Sequence, residues 1–245
     1  MLHFIFFLIS LASFIGFMNL KIHGVIAWLL SFIVLLACYI LTEYILKKIH
    51  LKSLDWDCDP EKYIERINKQ EIKSRKNERM LNYLAINHAA GYISLGDFVT
   101  AREYLRGIEM SYLSDKNGTL LAYSINMILC HYQLGEIDKG EALYETNLVK
   151  LSSFEKSHKQ SIDILVGERY FYLKKYEESY KHLSNLLKVD LNKRQYLCVL
   201  FRLAQMDIMN GDIDKATKRF NKIIKLGNKL WIVKAAKELM EGINK

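Results

Sequence analysis

One short stretch recurs along the chain and limits what it can fold into. It reads Leu95-Gly96-Asp97-Phe98-Val99-Thr100-Ala101-Arg102-Glu103-Tyr104-Leu105. Its echoes are Leu134-Gly135-Glu136-Ile137-Asp138-Lys139-Gly140, Leu173-Lys174-Lys175-Tyr176-Glu177-Glu178-Ser179 and Asn210-Gly211-Asp212-Ile213-Asp214-Lys215-Ala216. Each has a tight turn, an apolar residue two positions on and a small residue three further. The turns fall at 96, 135, 174 and 211, in steps of 39, 39 and 37. A period of this size predicts stacked units that share one continuous core. One proline and 12 glycines in 245 residues leave few helix breakers, so the expected fold class is all-α.

Apolar residues recur at helical spacing on both sides of every turn. Before the first come Leu81, Leu84, Ala85, His88, Ala89 and Tyr92; after it come Ala101, Tyr104, Leu105 and Ile108. The next pairs are expected at 121–134 and 137–148, 162–173 and 176–187, and 197–209 and 213–226. A final helix from Trp231 to about Glu241 caps the array.

The N-terminal part has a different composition. Residues 1–46 carry two charged side chains, Lys21 and Glu43, so the whole formal +8 sits beyond them. Leu2–Leu20 and Val25–Thr42 each match the ~20 apolar residues that cross a bilayer. The short turn between them predicts a transmembrane helical hairpin, 2–20 and 25–46, with small residues such as Ser13, Gly16, Ala27 and Ser31 at the contact. Lys47, Lys48 and Lys52 follow it, which predicts residues 47 onward in the cytoplasm. Glu43 sits four residues from Lys47 and can pair with it. A cleaved signal peptide is disfavoured, because the start lacks Lys or Arg and the apolar stretch is too long. The four cysteines lie 20, 72 and 68 residues apart, which suits reduced thiols better than a disulfide framework.

Residues 47–79 read as a juxtamembrane linker. Asp59 is a good N-cap and Pro60 fits a first helical position, so a short amphipathic helix runs from Pro60 to about Ile72. It is placed either over the open end of the array or on the lipid surface. Asp55, Asp57 and Asp59 lack the glycine and distant glutamate of a calcium loop, and capping accounts for them.

Residues 80–245 resemble the tetratricopeptide repeat family. Ala89, Gly167 and Ala204 stand at the small position of the first helix, and Tyr92 and Tyr170 at its aromatic position. Gly96, Gly135 and Gly211 mark the turn, with Phe98 and Tyr176 just after it. Ala101, Gly140, Ser179 and Ala216 fill the small position of the second helix, and Tyr104, Tyr144 and Phe220 plug between units. The departures are a longer period, no proline at the unit ends, Lys174 in place of a turn glycine and Ile128 at a small position. The resemblance implies a solenoid of about four helix-turn-helix repeats with a capping helix, and a concave groove lined by the first helices. Its groove residues would be Asn87, Asn126, Tyr132, Gln133, Tyr172, Arg202 and Gln205, alongside Tyr83, Ile86, Leu129, Glu168, Phe171 and Phe201. Amides and rings of this kind suit an extended peptide. Ile86, Ser161 and Leu165 stand where a carboxylate-clamping variant of the family needs basic residues.

No zinc, P-loop or dinucleotide signature is present, and no two histidines are spaced four apart. His88 and His131 read as helix-packing histidines. No metal, cofactor or enzymatic activity is expected. Residues 215–245 carry nine Lys or Arg against Glu238 and Glu241. Lys215, Lys218, Arg219, Lys222 and Lys225 share one helix face, which reads as a solvated surface first and as a site for anionic lipid or an acidic partner second. Nucleic acid is disfavoured, because no aromatic platform accompanies the stripe. The expected protein is a membrane-anchored cytoplasmic scaffold for a protein or peptide partner. The competing expectation is a small integral subunit of a transport or secretion complex, with the hairpin as the working contact.

Overall fold

The computed structural model describes residues 2–20, 23–149 and 159–243, and among them every regular element is a helix. The chain divides into two compact units, Met1–Leu51 and Lys52–Lys245.

The first unit holds α1 (Leu2–Asn19) and most of α2 (Gly24–Asp55). Both are built from Leu, Ile, Phe and Ala without proline. Among the described residues one helix is long and apolar enough to cross a membrane, over Gly24–Thr42. Its side chains Trp28, Leu29, Phe32, Ile33, Ile40 and Leu41 are half or more exposed, an apolar surface that water does not favour. Ala27 and Ser31 are buried, and the Ser31 hydroxyl donates to the Ala27 carbonyl at 2.8 Å. The helix does not stop at 46 as the hydropathy suggests but runs on through Asp55. Lys21 and Ile22, and the side chains of Glu43, Tyr44, Lys47, Lys48 and His50, lie outside the described residues.

In the second unit, α3 (Pro60–Ser74) begins as its sequence dictates: the Asp59 carboxylate accepts from the Lys62 N–H at 3.1 Å. Tyr63, Ile64 and Ile67 are buried as α3 packs on α4 (Glu78–Leu95). Asn77 caps α4 by accepting from the Met80 N–H. The remaining helices are α5 (Phe98–Arg106), α6 (Thr119–Gln133), α7 (Ile137–Leu143, continued by a π turn over Tyr144–Leu148), α8 (Lys159–Tyr172), α9 (Tyr176–Leu186), α10 (Lys193–Met209), α11 (Ile213–Leu226) and α12 (Trp231–Ile243). They form consecutive pairs, α4–α5, α6–α7, α8–α9 and α10–α11. Each first helix also packs on the next: α4 on α6, α6 on α8, α8 on α10 and α10 on α12.

The turn inside every pair contains a left-handed residue. Gly96, Gly135 and Gly211 have φ of 83°, 76° and 79°, and Lys174 reaches 60° without being glycine. A lysine there carries a backbone cost of about 1–2 kcal/mol that glycine avoids. The small positions are as tight as the repeat pattern predicts. Ala89, Ala101, Ala204 and Ala216 are fully buried, and a Cβ on Gly140 would lie 2.5 Å from the Tyr132 ring.

The two ends of this unit meet, which the repeat pattern did not foretell. The Lys229 N–H donates to the Cys58 carbonyl at 3.1 Å, and the Asn228 side-chain amide donates to the Asp57 carbonyl at 2.9 Å. Cys58 is buried in one cluster with Leu197, Leu200, Phe201 and Leu230. On the adjoining side, the Trp231 ring meets Phe98 edge-on at 5.6 Å.

The tightest small position gives a prediction. A Cβ on Gly167 would lie 2.2 Å from Leu183 Cδ2, and Leu183 is fully buried with nowhere to move. Gly167→Ala is expected to lower stability by about 1–3 kcal/mol, the range for overpacking, in urea unfolding.

Candidate functional site

The first helices and the start of α12 enclose a cavity of about 160 Å³. Its polar lining is Ser94, Asn126, Gln133, Ser161, Glu168, Arg194, Gln195 and Arg202, and its aromatic lining is Phe98, Phe201 and Trp231. A larger hollow of about 680 Å³ lies between α4, α5 and the turn at Met110–Tyr112, but it is wide open to solvent.

Arg202 and Glu168 form the fixed centre of the cavity wall. Their side chains are 6% and 8% exposed, and Arg202 Nη2 approaches Glu168 Oε2 at 2.5 Å while Nε reaches Oε1 at 3.0 Å. Arg202 Nη1 donates to Gln205 Oε1 at 2.7 Å, and Nη2 also donates to the Tyr172 hydroxyl at 3.1 Å. The guanidinium lies 4.0 Å over the Phe171 ring. Burial opposes its charge, but Glu168 and Tyr172 outweigh burial and raise its pKa. The pair ties α8 to α10, two consecutive first helices.

The candidate residues read from the sequence therefore separate. Asn126, Gln133 and Arg202 line the cavity. Asn126 Nδ2 donates to the Ile86 carbonyl at 3.4 Å, joining α6 to α4. Tyr132 does not face a groove: it is 1% exposed, donates its hydroxyl to Glu141 and stacks on Tyr172 with centroids 5.2 Å apart. Tyr172 and Gln205 stand behind Arg202 and hold it. Asn87 is half-buried on α4, away from the cavity. A concave strip was expected; Tyr132 and Tyr172 pack instead between α6, α7 and α8.

Among the lining residues that escaped the sequence reading are Arg194, Gln195 and Trp231. Arg194 and Gln195 belong to the first turn of α10, which begins at Lys193 rather than Leu197. A capping box marks that start: Asn192 accepts from the Gln195 N–H, and the Gln195 side chain accepts from the Asn192 N–H. An Asn followed three residues later by Gln is a legible helix start and would have found both. Trp231 was read as part of a cap, and no local signal places it in the cavity.

The basic face is partly structural. Arg219 Nη1 donates to Asp207 Oδ2 at 2.7 Å, and Asp207 is fully buried. Lys215 donates to the Tyr180 hydroxyl, and Lys222 donates to the Tyr196 hydroxyl at 2.6 Å. Lys218 and Lys225 are exposed. His88 is buried and hydrogen-bonded through Nε2 to Glu71 at 3.1 Å, and burial lowers its pKa despite that partner. His131 meets Glu136 at 2.7 Å, and hydrogen bonds from His131, Lys139 and Arg102 hold the Glu136 carboxyl down at about 2. Burial pushes the Cys198 thiol up to about 11 and Cys130 to about 12, so both are protonated at neutral pH. Among the described residues no three His, Cys, Asp or Glu side chains gather as metal ligands.

Comparison with known proteins gives no match: no family model fits the chain, and no curated protein or solved structure matches it.

The buried pair sets a clear test. Glu168→Ala leaves Arg202 buried and unpaired and is expected to cost about 3–5 kcal/mol in urea unfolding. Glu168→Leu combined with Arg202→Met removes both charges and is expected to cost less than the single change.

Proposed function

We propose that the chain is a membrane-anchored adaptor. Its second unit is a TPR-like solenoid of about four repeats with α12 as the cap, and α1 and α2 form the anchoring hairpin. A side chain of a protein or peptide partner is held in the cavity on the first helices. The cavity is the observation that carries this reading. Amide side chains can pair with an extended backbone, and three rings supply contact area.

The anchor rests on the charge-free α1 and the apolar run Gly24–Thr42. The lysines at 47, 48 and 52 favour a cytoplasmic repeat domain. Anchoring raises local concentration, so a weak site can still recruit its partner. The basic face is a lesser candidate for anionic lipid or an acidic partner, because Lys215, Arg219 and Lys222 already hold α9 and α10.

Crosslinking in intact membranes identifies the partner and tests the site. Asn126→Ala and Gln133→Ala are expected to weaken its capture by about 1–3 kcal/mol; Gln133→Ala leaves stability within about 0.5 kcal/mol, whereas Asn126→Ala also loses the bond to the Ile86 carbonyl and costs about 0.5–1.5 kcal/mol of stability. Normal capture by both variants, with loss on changing Lys218 and Lys225, would move the function to the basic face. Replacing α1 and α2 by an unrelated anchor is expected to preserve capture; loss would favour a membrane subunit whose hairpin is the working contact.

The orientation has its own check. In intact cells, Lys245→Cys is expected to resist a membrane-impermeant thiol reagent, and labelling there would turn the repeat domain outward.

A further inference from the structure

The cavity on the first helices has charged residues in its lining, but each of them already has an opposite charge. Arg202 is bidentate to Glu168 and also donates to Gln205 and Tyr172. Arg194 gives Nε to Asp55 Oδ1 at 3.0 Å, and its Nη2 stands 2.9 Å from the same oxygen. A charged ligand group would lose its hydration here and find no free countercharge. The hydroxyls are engaged too. Ser94 donates to the Ala90 carbonyl at 2.8 Å, and Ser161 accepts from Gln195 Nε2 at 3.3 Å. Two amides are left. Among the described residues Gln133 has no partner, and Asn126 uses only its Nδ2, on the Ile86 carbonyl, so its Oδ1 is free. Both stand on α6, seven residues apart, which places them on one face about 10.5 Å from each other.

The rest of the lining sets the size and shape of the occupant. A space of about 160 Å³ is close to the ~150 Å³ that takes up one benzene ring in an engineered protein core. The Trp231 ring meets Phe98 at 84° and Phe201 at 72°, with centroids 5.6 and 5.2 Å away. Rings favour such edge-to-face contacts, so a further ring suits this wall. A plain phenyl group would strip water from Asn126 and Gln133 and leave them unpaired. A phenol supplies the missing bond, because its hydroxyl both donates and accepts. We infer that the group seated in the cavity is a tyrosine side chain of the partner, its ring against Phe98, Phe201 and Trp231 and its hydroxyl on an α6 amide. The second amide is then free for the backbone that carries the ring. This rests on the adaptor reading above and adds to it the identity of the anchoring side chain.

The test uses the full chain in detergent, with affinities read by ligand-observed NMR. The probes are N-acetyl-tyrosinamide, its phenylalanine and phosphotyrosine analogues, and p-cresol. The tyrosine probe is expected to bind about three- to tenfold tighter than the phenylalanine one, the gap that one such hydrogen bond gives. The phosphotyrosine probe is expected to bind at least about tenfold more weakly than the tyrosine one. Asn126→Leu and Gln133→Leu are measured singly. One of them is expected to bring the tyrosine and phenylalanine affinities level while the phenylalanine probe still binds, which loss of structure would not do. Leu129→Trp fills the cavity and is expected to abolish binding of both; Ser161→Met, which enlarges a half-buried lining residue, serves if that variant does not fold. Equal wild-type affinity for tyrosine and phenylalanine overturns the proposal. So does a tyrosine preference that survives both leucine variants, tighter binding of the phosphotyrosine probe, or binding that the filled cavity leaves unchanged. Binding of p-cresol at least about tenfold tighter than N-acetyl-tyrosinamide also overturns it, since the cavity would then admit a free phenol but not a side chain on a backbone. If those failures occur while Asn126→Ala and Gln133→Ala still weaken capture of the crosslinked partner, the adaptor reading stands and the tyrosine anchor alone falls.

Discussion

The second unit depends on how closely its helices approach one another. At Gly140, Gly167, Ala89, Ala101, Ser179, Ala204 and Ala216 the neighbouring helix leaves no room for a larger side chain. Large partners fill the opposite side of each contact. Tyr132 lies over Gly140, Leu183 over Gly167, and Phe220 is buried beside Ala204 and Ala216. Interiors packed at this density transmit small changes, so the small positions fix the spacing of each pair and the stacking of the pairs. Ser179 adds a directed bond at one of them, donating its hydroxyl to the Gly167 carbonyl at 2.8 Å.

Polar links between units run beside this apolar contact. Arg102 donates to Glu136, Arg169 is bidentate to Glu141, and Arg202 is bidentate to Glu168. The three differ in burial, and so in role. The Arg102–Glu136 and Arg169–Glu141 pairs are part-buried and still reached by solvent, which weakens their attraction. The Arg202–Glu168 pair is different: desolvation offsets much of its attraction, so its main effect is to forbid any arrangement that separates the charges. Such a pair sets the register of α8 against α10, and with it the shape of the cavity.

The repeat was legible because it depends on local chemistry. A left-handed turn needs glycine, and three of four turns have it. Lys174 shows that the surrounding pair can hold the conformation even where the residue resists it. Asp59, Asn77 and Asn192 wrote helix starts that the structure keeps, and the late readings of α4 and α10 came from passing over the last two of them. The site was less legible. Asn126, Gln133 and Arg202, singled out as first-helix positions, stand on the cavity wall. Tyr132 was misplaced because periodicity tells which face of a helix a residue occupies but not what will cover that face.

By itself, the sequence determined the helices, their pairing and the apolar character of the N-terminal unit. Each follows from contacts between residues a few places apart, or from composition over a span. Only the tertiary structure decided that Cys58 would lie beside Leu230, that Arg194 would meet Asp55 and that Trp231 would close on Phe98. Those contacts join residues more than 130 positions apart. They depend on small rotations accumulated from pair to pair, a quantity that no single residue encodes.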